Sequence, residues 1–152
     1  MQFDISDRQT GRTTRLVQQV LFDITADPNK PIYPIVCVES EHFADYVFRL
    51  LIRFNLQKIV NVCSTPDSIF TCTGCLPKDQ IRLYVDDLEC NKPFLQFLKE
   101  LDLNIPGNKT LLESAYFAAT SSDAVAPLRA LGLNCKDLRV TSTVRMAPMG
   151  FI

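Results

Sequence analysis

The stretch Ser6-Asp7-Arg8-Gln9-Thr10-Gly11-Arg12-Thr13-Thr14 decides how this chain is read. Before it, Gln2-Phe3-Asp4-Ile5 has the make-up of a short opening strand. After it, Leu16, Val17, Val20, Leu21 and Ile24 fall on one helical face and predict a helix over 13–25. A tight loop between a strand and a helix aims its backbone N–H groups, and the positive end of the helix, at a phosphate. The loop lies on the spacing G-x-x-x-x-G-K-S/T, with Ser6 in place of the first glycine and Arg12 in place of the lysine. Gly11 lets the backbone approach the phosphate closely. Arg12 stands where the lysine reaches the β and γ oxygens, although its planar fork is larger and geometrically more demanding. Thr13 stands where a hydroxyl meets Mg²⁺. The plain alternative is a helix N-terminus with Thr13 or Thr14 near the cap and no ligand.

Outward from the loop, apolar runs alternate with helical patterns. Strands are expected over 32–38, 58–63, 68–73, 81–85, 115–119 and 138–143, and helices over 41–54, 92–103 and 124–131, the last closed by Gly132. Phe94, Leu95, Leu98 and Leu101 form the expected inward face of the 92–103 helix. Asp27-Pro28, Thr65-Pro66-Asp67 and Pro106-Gly107 mark breaks or turns. This alternation predicts an α/β three-layer sandwich around a mostly parallel central sheet, as a single domain over 1–152.

A second segment, Ile81-Arg82-Leu83-Tyr84-Val85-Asp86-Asp87-Leu88-Glu89, is an apolar strand ending in acids. Acids at the carboxyl end of a parallel strand stand on the rim where ligands bind in open α/β sheets. Asp86 suits the Mg²⁺ hydration shell, and Asp87 suits the orientation or deprotonation of an attacking water, with Glu89 as a substitute base. The alternative is that the two aspartates start a turn or cap the next helix. The loop and the acidic strand end, in this order and context, support each other.

With 152 residues, 47% of them apolar, the chain can bury a real core. Its 16 Lys+Arg against 17 Asp+Glu argue against a protein that coats polyanions generally. No apolar run reaches the length of a membrane span, and no secretory leader is visible near Met1. Six cysteines without a leader predict reduced thiols in a cytoplasmic setting, with Cys37, Cys63 and Cys72 acting as small hydrophobes.

On these residues the chain resembles the additional-strand P-loop ATPases, and within them the ATPase domain of phage large terminases and related helicases. Terminase phosphate loops often read Ser/Cys-Arg-Gln-x-Gly-Lys-Thr-Thr. Asp7-Arg8-Gln9-Thr10-Gly11-Arg12-Thr13-Thr14 lies on that pattern, with Arg12 the departure. The resemblance implies a phosphate loop from Asp7 to Thr14 and makes Arg8 a candidate arginine for γ-phosphate charge. It likens the run from Val38 to Arg49 to the strand and helix after the first crossover. It likens Ser68-Ile69-Phe70-Thr71-Cys72-Thr73-Gly74 to a short strand and glycine before the acidic strand. Ala118-Ala119-Thr120-Ser121-Ser122 resembles a Ser/Thr-rich strand end that couples hydrolysis to movement. Two departures stand out: Asp-Asp replaces Asp-Glu, and neither a nuclease domain nor a second ATPase-like lobe is expected within 1–152.

The resemblance implies ATP or another NTP with Mg²⁺, a slow ATPase (a hydrolase), and a link to viral DNA packaging in a host cytoplasm or a virion. The alternative is a degenerate, non-hydrolysing fold that serves as an interaction module. Its motivation is the pair of substitutions at Ser6 and Arg12 together with the apolar tail Met146-Ala147-Pro148-Met149-Gly150-Phe151-Ile152. Such a tail docks on its own domain or on a partner, either another copy or another protein. Arg129, Lys136, Arg139 and Arg145 could offer DNA an edge, though balanced charge favours ordinary surface. Cys72-Thr73-Gly74-Cys75 has the shape of half a zinc knuckle, but Cys63 and Cys90 complete no usual spacing. His42 reads as a solvated residue in a first helical turn, the other reading being contact with a nucleotide base.

Overall fold

The computed structural model describes residues 1–7, 10–133, 135 and 139–140, the last two by their backbone. Arg8, Gln9, Lys136, Arg145 and the apolar tail therefore lie outside the described residues, together with most of the 138–143 strand. Along the chain run β1 (Gln2–Ile5), α1 (Arg12–Ala26), β2 (Tyr33–Cys37), α2 (Glu41–Arg53), β3 (Asn61–Cys63), α3 (Pro66–Cys75), β4 (Ile81–Val85), α4 (Lys92–Glu100), α5 (Asn108–Glu113), β5 (Tyr116–Ala119), α6 (Ala126–Arg129) and β6 (Arg139–Val140). Short 3-10 turns at Leu88–Cys90 and Ser122–Val125 precede α4 and α6.

The strands form one sheet in the order β3-β2-β4-β5-β1-β6, and every pairing is parallel. Parallel strands need crossovers, and the helices provide them, so both faces of the sheet are covered. On one face Leu16, Val17 and Val20 of α1 and Val47, Leu50 and Leu51 of α2 pack with Val36, Tyr84, Tyr116 and Ala118. On the other, Ile69 of α3, Phe94 and Phe97 of α4, Leu111 of α5 and Leu128 of α6 pack with Ile35, Leu83, Val85 and Phe117. The result is the three-layer α/β sandwich with a parallel central sheet that the alternation of patterns predicts. Strand residues alternate between the two clusters, as a period of two requires.

Three expectations are corrected. Residues 68–73 are not a strand but lie inside α3, so their likeness to a strand before the acidic motif does not hold. Thr65 caps this helix by accepting from the Ser68 N–H at 3.1 Å, while the Ser68 hydroxyl faces the Thr65 N–H at 3.2 Å. Pro66 stands in the first turn, and the Phe70 ring packs 4.6 Å from Phe97. A reciprocal cap plus packing outweighs the β propensity of Ile69, Phe70, Thr71 and Thr73. The strand expected from Lys58 begins only at Asn61, because the Ile59 and Val60 N–H groups turn back to the Leu56 carbonyl. The helix expected over 92–103 ends at Glu100, and Asn108–Glu113, where no element is expected from the sequence, forms α5. Gly107 caps α5 at φ 91, and Gly132 beyond α6 has φ 79 with its N–H on the Arg129 carbonyl.

Candidate functional site at the carboxyl rim

β1, β5 and β4 lie side by side, and their carboxyl ends bring together segments far apart in sequence. Gly11 is the N-cap of α1 in the left-handed region, φ 81, a conformation glycine adopts at no steric cost. It turns the chain so that Arg12 and Thr13 open the helix directly over the strand ends. The Thr13 hydroxyl donates to Asp86 Oδ2 at 2.9 Å. Arg12 is nearly buried, 8% exposed, and its guanidinium spans three segments. Nη1 donates to the Ser6 carbonyl at 3.3 Å and to Thr120 Oγ1 at 2.9 Å. Nη2 donates to Asp87 Oδ1 at 3.2 Å, and Glu89 Oε1 lies 3.7 Å from Nη1. Glu89 in turn accepts the Thr120 N–H with both oxygens, at 2.9 and 3.0 Å.

Of the residues singled out in sequence, Arg12, Thr13, Asp86, Asp87, Glu89 and the Thr120 strand end thus converge. Thr10 is buried beside them, with its hydroxyl on the Asp7 carbonyl at 2.6 Å; Asp7 is exposed and Thr14 half-buried on the first turn of α1. Thr13 and Thr14 do not cap the helix, because Gly11 does and no side chain bonds there. Asp87 adopts φ 51, one of two positive values among the described non-glycine residues. This left-handed turn directs its carboxylate back toward Arg12, and uncommon backbone of this kind collects at working sites.

Asp86 is 4% exposed. Burial raises its pKa above the usual carboxylate value; the Thr13 hydrogen bond and Arg12 pull it back, and Asp87 pushes it up again. The position is therefore costly for an isolated charge and favourable for one that meets a cation. A hydroxyl and a carboxylate are hard oxygen donors, the kind Mg²⁺ takes. Thr13 and Asp86 fit such an ion.

Other residues at the rim escaped sequence reasoning. Asn91, fully buried, donates to the Cys37 carbonyl at 3.0 Å and the Asp86 carbonyl at 2.8 Å while accepting from Phe94 N. It clamps the ends of β2 and β4 and caps α4. Its signal was present as Asn before Lys-Pro at a helix start. Arg15 and Asp4 form an ion pair at 2.7 Å beside the loop, with no motif to announce it.

The remaining candidates are placed differently. Cys72-Thr73-Gly74-Cys75 ends α3 and is helical, where a strand was expected to run to Thr73. Cys63 and Cys72 meet, Sγ to Sγ 3.6 Å, but no cluster of Cys63, Cys72, Cys75 and Cys90 forms. Among the described residues the one trio of His, Cys or acid donors close enough to share an ion is Glu39, Asp87 and Cys90, within 4.8 Å of one another. His42 is exposed in the first turn of α2, its ring 6.2 Å from that of Phe43. Arg129 is exposed at the end of α6, and the β6 backbone puts Arg139 opposite Asp4 in register. No described helix is long and apolar enough to cross a membrane. No family model matches the chain, and no curated protein matches it.

Proposed function

We propose that the chain is a P-loop-type nucleotide-binding protein of the additional-strand class that binds ATP with Mg²⁺ at the carboxyl rim and hydrolyses it slowly. The observation that carries this reading is the 2.9 Å contact between Thr13 of the loop and Asp86 at the end of β4. The strand order supports it, since β5 lies between the loop strand β1 and the acidic strand β4.

In this reading the loop from Asp7 to Thr14 cups the phosphates with backbone N–H groups and the N-terminus of α1. Thr13 and Asp86 would hold the magnesium, which neutralises charge on the β and γ oxygens when bound. Arg12, already desolvated, presents its fork to the same oxygens. Arg8, outside the described residues, is the second arginine assigned to phosphate charge. Glu89 and Asp87 stand as bases for the attacking water. Both are tied, Asp87 to Arg12 and Glu89 to Arg12 and Thr120, so either must give up these contacts before it can orient a water. Slow turnover follows. Loss of the γ-phosphate frees Arg12 to return to Thr120, which links hydrolysis to the end of β5. The resemblance to packaging motors extends the proposal to a role in viral DNA handling.

Titration with a fluorescent ATP analogue, with and without Mg²⁺, tests the binding claim. Saturable, Mg²⁺-dependent binding is expected, and none at millimolar nucleotide overturns it. Phosphate release tests turnover.

One observation favours a second reading, a non-hydrolysing interaction module: Arg12 is satisfied without nucleotide, by Ser6, Thr120, Asp87 and Glu89. That reading expects Arg12→Ala and Asp86→Ala, if folded, to leave partner binding intact.

A further inference from the structure

Arg15 lies three residues beyond Arg12 on α1, and its fork gathers both ends of the loop. Nε donates to Asp4 Oδ2 at 2.7 Å, and Nη2 donates to Ser6 Oγ at 2.7 Å, to Asp4 Oδ1 at 3.3 Å and to Thr10 Oγ1 at 3.3 Å. Nη1 donates to the Thr10 carbonyl. The Ser6 hydroxyl completes the ring by donating to Asp4 Oδ1 at 2.9 Å. Asp4, 4% exposed, belongs to β1 and is therefore fixed by the sheet. The Tyr116 hydroxyl approaches its Oδ2 from β5 at 3.4 Å.

We infer that Arg15, anchored by Asp4 and assisted by Ser6, is the positioning residue that ties Ser6 to Thr10, the described flanks of the phosphate loop, before any nucleotide arrives. The inference rests on reading residues 6–14 as a phosphate loop. It gives the departure at Ser6 a physical reason. A glycine there supplies flexibility but no hydroxyl, whereas Ser6 joins the anchor, and its φ is not positive, so nothing in the backbone calls for glycine. A planar fork with five donors can serve a carboxylate, two hydroxyls and a carbonyl at once, which an ammonium cannot do in one geometry. A loop held in advance loses less entropy on binding. Arg15 acts through the loop and is not assigned to phosphate itself.

A cavity of about 360 Å³ adjoins this brace, lined in part by Asp4, Arg15, Gln18, Gln19 and Phe22. Arg15 keeps 26% of its side chain exposed, so a small cation from solvent can reach the place its guanidinium vacates. This makes chemical rescue a direct readout.

The experiment uses the full chain and compares wild type with Arg15→Ala, Arg15→Lys and Ser6→Gly. Amide hydrogen exchange across 6–14 is measured without nucleotide, then MgATP is titrated. In Arg15→Ala, loop exchange rises and MgATP affinity falls by roughly tenfold or more, the scale of lost charge-assisted hydrogen bonds. Exchange in β2 and β4 stays as in wild type. Added guanidinium ion moves both readouts back toward wild type, and Arg15→Lys falls between. Ser6→Gly, which brings the loop closer to the G-x-x-x-x-G-K-S/T spacing, loosens it and weakens binding. This variant removes no charge and decides the matter if Arg15→Ala does not fold. Loop exchange equal to wild type in the folded variants overturns the inference, as does exchange that rises equally in β2 and β4. If the loop loosens as expected while wild type binds no nucleotide, the brace stands and the nucleotide reading falls.

Discussion

The carboxyl rim of the sheet has two halves, which bury ionisable groups in opposite ways. Over β1, β5 and β4 the buried groups are charged and cross-linked: Arg12 to Asp87, Glu89 and Thr120, and Asp86 to Thr13. Over β2 and β3 they are thiols that stay neutral. Burial pushes the Cys37 thiol well up, and burial with the neighbouring Cys72 thiol pushes Cys63 up to about 12. Uncompensated burial of a charge is expensive. One half meets that cost with partners, carboxylates and a hydroxyl for Arg12 and a hydroxyl for Asp86. The other avoids it with small hydrophobic sulfurs. On the proposed reading the charged half is the chemical one, and the thiol half is packing.

The strongest way to break this contrast is Arg12→Ala. It should weaken MgATP binding roughly a hundredfold, the equivalent of about 2.7 kcal/mol from several hydrogen bonds to charged groups. Cys63→Ala, across the rim, should change the same titration less than about twofold. Equal effects of the two would erase the distinction.

Asp86→Asn comes next. It keeps an acceptor for Thr13 but removes the charge, so Mg²⁺ should no longer strengthen nucleotide binding, a loss of roughly tenfold. The same change should raise the melting temperature of the nucleotide-free protein at neutral pH by roughly 2–4 °C, the shift that about 1 kcal/mol produces in a chain of this size. The sign follows from its raised pKa. The folded state binds the Asp86 proton more tightly than the unfolded chain does. Its contribution is thus stabilising below the ordinary carboxylate pKa and lost as pH rises through the raised value. Stability without nucleotide should therefore gain from Asp86 as pH falls through that window, while Mg²⁺-dependent binding declines. Calorimetry and titration at matched pH values separate the two.

A smaller effect is expected from Thr65→Ala. Removing the α3 cap should cost about 1 kcal/mol and lower the melting temperature without altering nucleotide affinity. The smallest concerns the thiols themselves. Alkylation of the native protein near pH 8, followed by mass spectrometry, should label exposed Cys75 first and leave Cys37 and Cys63 protected. Early labelling of Cys63 would show that its half of the rim is open.

Legibility in the sequence followed the range of the interactions. The strand before Ser6, the helix after it and the acids after Val85 were readable because each is declared within a few residues, by periodicity or by acids after an apolar run. The run from Ser68 to Thr73 misled because β-branched and aromatic residues suit a strand locally. Its helix depends on the Thr65–Ser68 cap and on Phe70 packing against Phe97 from a later element. The α5 helix was hidden for a related reason, being a short element whose start rests on a glycine in the left-handed region. In the site, Arg12, Thr13 and Asp86 stood out as motif positions. Asn91 was legible only as a helix cap before Lys-Pro and Arg15 not at all, because their long-range partners, Cys37 for one and Asp4 and Ser6 for the other, are met only in the folded chain.

By itself the sequence determined the alternation of strands and helices, hence the parallel layered class, and the order in which the loop and the acidic strand occur. These are local properties, set by side-chain periodicity and by glycine and proline. The tertiary structure alone decided that β5 sits between β1 and β4, that Arg12 reaches Thr120 and Glu89, and that Arg15 meets Asp4, Ser6 and Thr10. Strand order and side-chain contact depend on which surfaces pack together, and no stretch of the chain carries that information alone.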